Sequence, residues 1–99
     1  MDIKSLMEQA KKLQANVADA QGKLGEMTVK GISGNGLVIV EMTGKYDLQK
    51  LTLSPELLSE DLETVTALIT SAFNDAKAKA DAAIDKVMGQ ATAGMPLPL

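Results

Sequence analysis

The 99-residue chain predicts an α+β fold of order α-β-β-β-α, a three-stranded antiparallel meander between two long helices that pair as a projecting arm. Three observations carry this. Apolar residues between Ile3 and Met27 recur at alternating spacings of three and four, the stretch 27–54 is broken by two turn signals, and a capping sequence over 54–59 opens a second helical pattern.

The first helix opens at Asp2, whose carboxylate suits a helix N-terminus, and fades near Gly22 and Gly25. Ile3, Leu6, Ala10, Leu13, Val17, Ala20, Leu24 and Met27 form a heptad seam, the pattern that keeps one narrow stripe facing a partner helix. Such a helix extends about 36 Å at 1.5 Å per residue, against a radius of gyration of about 13 Å for a compact chain of this size. It therefore projects as an arm, pairs with another long helix, or both.

In the middle region Thr28, Val29 and Ile32 alternate with polar residues until Ser33-Gly34-Asn35-Gly36 intervenes. Asn-Gly is a two-residue hairpin signal, because both central positions of a type I′ turn need positive φ. Leu37, Val38, Ile39 and Val40 come next as an unbroken apolar run, the texture of a strand covered on both faces. Thr43-Gly44-Lys45 makes the second turn, and 46–54 reads as a third strand carrying Leu48, Leu51 and Leu53. A sheet with helices on one face leaves its other face needing cover, so Leu37, Val38, Ile39 and Val40 are the expected dimer contact.

Ser54-Pro55-Glu56 combines a capping hydroxyl, a proline at the first helical position and an acid, and opens one short turn. Ser59 is expected to cap the second long helix, with Glu60, Asp61 and Glu63 complementing its dipole. That helix presents Leu62, Val65, Ile69, Ala72, Ala76, Ala80, Ala83 and Val87 on one side. After Ala72 the spacing takes an extra four, a local stutter, and the seam becomes mostly alanine, which permits close approach. Gly89 is a plausible stop. A single domain over 1–92 and a flexible, proline-containing tail over 93–99 complete the organisation. The two seams are expected to bury mainly against each other. Antiparallel pairing would then gather Lys4, Lys11 and Lys12 with Lys77, Lys79 and Lys86 at the tip of the arm and leave the acids near the sheet.

Composition narrows the function. With no histidine and no cysteine, the commonest general base, the thiol nucleophile and the usual soft metal ligands are missing. The net charge is −3, all ten basic residues are lysine, and Tyr46 and Phe73 are the only aromatics. So few aromatics argue against a base-stacking platform for single strands, the bidentate arginine fork is missing, and any DNA contact must run through lysine to duplex phosphate. No apolar run approaches a membrane span and no signal-peptide core comes after the charged start, which fits a cytoplasmic protein.

Several segments, in order, carry a resemblance: Leu6-Met7 with the Gln- and Lys-containing stretch 8–13, the glycine-rich turn 31–36 leading into Leu37-Val38, and Gly44. Ser54-Pro55-Glu56-Leu57-Leu58, Asp61-Leu62-Glu63, Ala72-Phe73-Asn74-Asp75-Ala76, Met88 and Thr92-Ala93-Gly94 continue it. Across nearly the whole chain the sequence resembles the YbaB/EbfC family of bacterial nucleoid-associated proteins. The resemblance implies a homodimer shaped like tweezers, whose paired long helices project as two arms. It also implies duplex DNA binding in the nucleoid, with effects on DNA conformation and gene expression and without enzymatic activity, cofactor, metal or small-molecule substrate. Relatives often mix arginine into the long helices; this chain has none. The family's DNA contacts form no fixed motif, so only their location on the long helices carries over.

The candidate phosphate contacts are therefore Lys4, Lys11, Lys12, Lys77, Lys79 and Lys86. Lys12, Lys23 and Lys79 each stand four residues after an acid, the favourable i, i+4 spacing, so they have a purely solubilising reading too. Lys11 and Lys86 lack such a partner, and Lys4 and Lys77 have one only in the weaker orientation. The acids Glu60, Asp61 and Glu63 admit a metal or acid/base cluster, but helix-dipole complementarity accounts for them without further assumption. Mid-helix Asn74-Asp75 admits either a specific hydrogen bond to a neighbouring strand or dimer mate, or a solvated face. The glycines between Gly31 and Gly36 match neither a dinucleotide fingerprint nor a Walker loop. The main alternative to DNA binding is a protein-interaction module whose arms grip a partner protein, a reading favoured by the net acidity.

Overall fold

In the computed structural model, which describes residues 2–93, the Asp2 carboxylate accepts the Ser5 amide at 2.8 Å and starts α1 (Ile3–Glu26). The chain continues as β1 (Thr28–Ser33), a 3-10 turn (Gly34–Gly36), β2 (Val38–Thr43), β3 (Leu48–Leu53), a second 3-10 turn (Pro55–Ser59) and α2 (Leu62–Thr92). This is the expected α-β-β-β-α order, and the sheet is an antiparallel meander β1-β2-β3. The longest dimension is 68 Å against 23 and 17 Å across, so the helices do project from the sheet.

Local details differ from the sequence-based expectation in three places. Ser33 pairs with Val38, so the first connection has four residues, not two. Gly34, Asn35 and Gly36 all take positive φ, and Leu37, with φ −64 and ψ −32, is helical and precedes the strand. Asp61, not Ser59, caps α2: its carboxylate accepts the Thr64 amide at 2.8 Å, and hydrogen bonding from the Thr64 side chain, with this amide bond, holds the carboxyl below the ordinary aspartate range. Finally, α2 runs through Gly89 to Thr92, because one exposed glycine costs a helix only about 1 kcal/mol. The tail expected over 93–99 lies, apart from Ala93, outside the described residues.

The core forms where α2 lies on the sheet. Ala72, Ala76 and Ala80 are fully buried against Val38, Val40 and Met42 of β2, with Leu57 closing one side. Gly31 makes this packing possible. A Cβ there would stand 1.9 Å from the Ala72 carbonyl oxygen and 2.4 Å from the Ala76 nitrogen, so the strand and the helix backbone touch with no side chain between them. The alanine seam does permit close approach, but its partner is the sheet. α2 spends most of its length on β1 and β2, and only its last part meets α1. The expectation that the two helical seams bury mainly against each other is corrected accordingly.

Candidate nucleic-acid and assembly surfaces

The helix–helix contact sets the position of every lysine. Asn16 Nδ2 donates to the Ala91 carbonyl at 3.3 Å, and a shallow cleft between the helices is lined by Asp19, Ala20, Lys23, Val87 and Gln90. α2 thus ends opposite Asn16. The part of α1 before it, about 20 Å at 1.5 Å per residue, extends past the end of α2 and carries Lys4, Lys11 and Lys12, all exposed.

Lys77 and Lys79 do not join that tip. Lys79 Nζ lies 3.2 Å from Asp75 and donates to the Lys30 carbonyl of β1 at 2.6 Å, while Lys77 lies 3.9 Å from Asp81. Both sit beside the sheet, and Lys86 lies on the stretch of α2 between sheet and helix end. The predicted six-lysine cluster is therefore split, since α2 reaches α1 only after traversing the sheet. Among the described residues Lys4, Lys11, Lys12 and Lys86 make no ion pair. On the helical wheel Lys4 and Lys11 share one stripe, with Glu8 and Lys12 beside it, turned away from the apolar seam.

Asp75 resolves in favour of the specific hydrogen bond. Its carboxylate accepts the Ile32 amide of β1 at 3.0 Å, and this bond, with Lys79 beside it, holds its pKa below the usual value. Asp75 and Lys79 together occupy the outward amide of Ile32 and the outward carbonyl of Lys30, so the outer edge of β1 is capped by side chains of α2. Tyr46, at φ 68, donates its phenol to Asp81 and ties the β2–β3 turn to the same helix; the acceptor raises the phenol pKa. No local spacing in the sequence points to this pair.

The expected dimer run is redistributed. Val38 and Val40 are 0% and 1% exposed beneath α2, inside the protomer's own core, and only Leu37 and Ile39 of the four keep partial exposure. Strand alternation sends neighbouring residues to opposite faces, so a continuous apolar run cannot offer all four side chains to one partner. β3 has the uncovered apolar surface instead. Its Leu53, Leu51 and Leu48 pair with Val38, Val40 and Met42, which puts them on the α2 side of the sheet, but α2 does not reach them and all three are exposed. Leu58 and Leu62, 91% and 81% exposed, extend the patch, and an apolar groove runs from Leu53 past Pro55 and Leu57 to Val65.

The sequence profile of the YbaB/EbfC DNA-binding family matches residues 1–95. The chain belongs to that family. Nucleoid-associated proteins of two Xanthomonas campestris pv. campestris strains, B100 and 8004, are each 45% identical to it over 97 residues, covering 98% of this chain and 91% of theirs. Among solved structures, the uncharacterized protein HP0035 from Helicobacter pylori superimposes with a TM-score of 0.81 at 23% identity, over 91% of this chain and 96% of that one. That likeness establishes the fold. No helix among the described residues is long and apolar enough to cross a membrane, and no group of three or more metal-ligating side chains occurs among them.

Proposed function

We propose that the protein is a non-enzymatic, nucleoid-associated homodimer that grips duplex DNA between two α1 arms and changes its conformation, and with it the expression of nearby genes. The observation that carries the reading is the projecting half of α1. It presents Lys4, Lys11 and Lys12 free of ion pairs, while Lys77 and Lys79 are committed to Asp81, Asp75 and the β1 carbonyl. Lys86 is a secondary contact lower on the arm. Membership of a DNA-binding family and the names of the Xanthomonas relatives support DNA as the partner.

The dimer forms through β3. One sheet edge is capped by Asp75 and Lys79, whereas β3 pairs on one side only and carries uncovered leucines. Contiguous exposed apolar surface of this kind marks an interaction site, and a self-complementary strand edge meets a second copy across a two-fold axis.

Lysine–phosphate contacts give affinity without base readout, with a slope of about −0.9 in log K against log salt for each phosphate neutralised. Three lysines on each of two arms predict a slope of about −5. A fluorescence anisotropy titration of a duplex at several salt concentrations tests this. K4A/K11A/K12A is expected to abolish binding with the dimer mass unchanged, and K77A/K79A to retain it. Wild-type binding that is absent even at low salt transfers the arms to a protein partner and refutes the proposal.

A further inference from the structure

The heptad seam of α1 runs past its contact with α2. Ala20 and Leu24 are buried and Val17 is half-buried, but the contact ends where Asn16 meets Ala91. From there Leu13 is half-buried and Ala10, Leu6 and Ile3 are exposed, Leu6 by 48% and Ile3 by 75%. The described residues leave this half of the seam open, although it continues a packed interface along one stripe.

The flanks of the open stretch suit a second copy of itself. With Ile3, Ala10 and Val17 at heptad position a, and Leu6 and Leu13 at d, the flanking e and g positions between them are Met7, Gln9, Gln14 and Asn16, all uncharged. The charges of this stretch, Lys4, Glu8, Lys11 and Lys12, stand at b, c and f, off the contact. Two copies therefore meet without like-charge repulsion, and a charged partner helix finds no complement at these edges. Antiparallel alignment also matches volumes. Ile3 and Leu13 lie equally far from residue 8, as do Leu6 and Ala10, so a two-fold axis at that level sets Leu6 of each copy against Ala10 of the other. Large then faces small in the central layers. A parallel pair would stack Ala10 on Ala10 and leave a gap between leucine layers.

We propose that the open half of the α1 seam pairs antiparallel with the same half-seam of a second copy, which belongs to another dimer. That the units joined are dimers rests on the β3 reading above; the seam contact itself does not. Each protomer then has two isologous contacts, one on β3 and one on the arm, and together they link dimers into a chain. Lys4 and Lys11 lie off the seam, so its occupation leaves them free. Four seam side chains per copy fall short of the roughly 1,200–2,000 Å² buried in a stable complex. The contact therefore forms at about millimolar concentration, the level that units tethered side by side experience.

Sedimentation equilibrium at rising concentration, up to about 1 mM, tests the contact in four proteins. The parent is expected to pass from two chains to four and beyond, and Leu6→Asp to stay at two. Leu51→Asp, without its β3 contact, should reach two chains through the seam, and the double variant should remain a single chain. Leu6 is already 48% exposed, so circular dichroism should find all four equally helical. Association that Leu6→Asp leaves unreduced on either background overturns the proposal. Failure of the β3 reading looks different, because Leu6→Asp alone is then a monomer. The chain has no cysteine, so a nitroxide attached through Gln14→Cys is the only label and reads the register. Carried by a copy without isotope, it should broaden the amide resonances of residues 2–5 in an isotope-labelled copy. Absent broadening, or broadening centred on residues 12–16 as a parallel pair requires, overturns the antiparallel pairing.

Discussion

Gly31→Ala tests the packing on which the whole arrangement depends. The new methyl would stand 1.9 Å from the Ala72 oxygen, 2.4 Å from the Ala76 nitrogen and 2.8 Å from the Ala76 Cβ. Two of these neighbours are helix backbone, which cannot rotate aside. Restoring an ordinary contact of 3.4 Å needs α2 to retreat by about 1.5 Å, the difference between 3.4 and 1.9 Å. The same retreat would stretch the 3.0 Å bond from Ile32 to Asp75 beyond hydrogen-bonding distance and pull Lys79 from the Lys30 carbonyl. Overpacking typically costs about 1–3 kcal/mol, and each hydrogen bond lost adds about 1 kcal/mol. The expected loss is thus about 3 kcal/mol or more, a large share of the roughly 5–15 kcal/mol that holds an ordinary domain together. In urea, with a slope of about 1.5 kcal/mol per molar, the midpoint should fall by about 2 M at fixed protein concentration. Gly22→Ala is the control: a Cβ at Gly22 meets nothing within 4 Å, and the change should stabilise α1 by about 0.5–1 kcal/mol. A Gly31→Ala protein as stable as the parent would refute the close approach of α2 to β1, and with it the capped strand edge.

Leu51→Asp should convert a dimer of twice the 10.4 kDa chain mass into monomer in light scattering, with its helical circular dichroism intact because Leu51 is already exposed in the protomer; a variant that stays dimeric refutes the β3 interface. Removing Lys11 alone should lower the magnitude of the salt slope of DNA binding by about 1.8, since each dimer loses two phosphate contacts; removing Lys77 should leave the slope unchanged. Asp75→Asn should flatten the acid limb of stability. The folded carboxyl lies below its ordinary 3.8, so its contribution is present above that pH and is lost as pH falls through the lower folded value. Thermal melting from neutral pH down through this window reads the difference, and identical acid limbs for variant and parent would refute the Asp75–Ile32 bond.

Much of the fold was legible because its signals are local. The heptad of α1, the Pro55 turn and the order of strands all depend on spacings within a few residues. The share of α2 between sheet and helix was not, because an alanine stripe suits either partner equally well. One signal could have decided it: Gly31 sits mid-strand, where a missing side chain marks close backbone approach. The first connection differs from a two-residue turn at Asn35-Gly36 because Gly34 also takes positive φ and lengthens the loop. At the candidate site, the position of the α1 lysines off the apolar seam was enough to place them as exposed residues of the arm. Their grouping with Lys77 and Lys79 failed because it depended on helix register, a tertiary quantity that no single helix encodes.

Net charge is a poor guide to this chain because its geometry separates the signs. Over residues 3–15 three lysines face one glutamate, and this is the stretch that α2 leaves behind; Glu60, Asp61 and Glu63 stand at the other end of α2, beside the sheet. The separation arises from how the length of α2 is divided. Its alanine stripe is held to the sheet by Gly31, Asp75 and Lys79, so only its last turns remain for α1, and they end at Asn16. Had the two seams paired along their full length, Glu63 would have been drawn toward α1 and Asp75 away from β1, leaving a strand edge open and the lysines of the arm opposed by acid. The packing that excludes α2 from the front of α1 is thus the same packing that gives an acidic protein a basic, projecting surface.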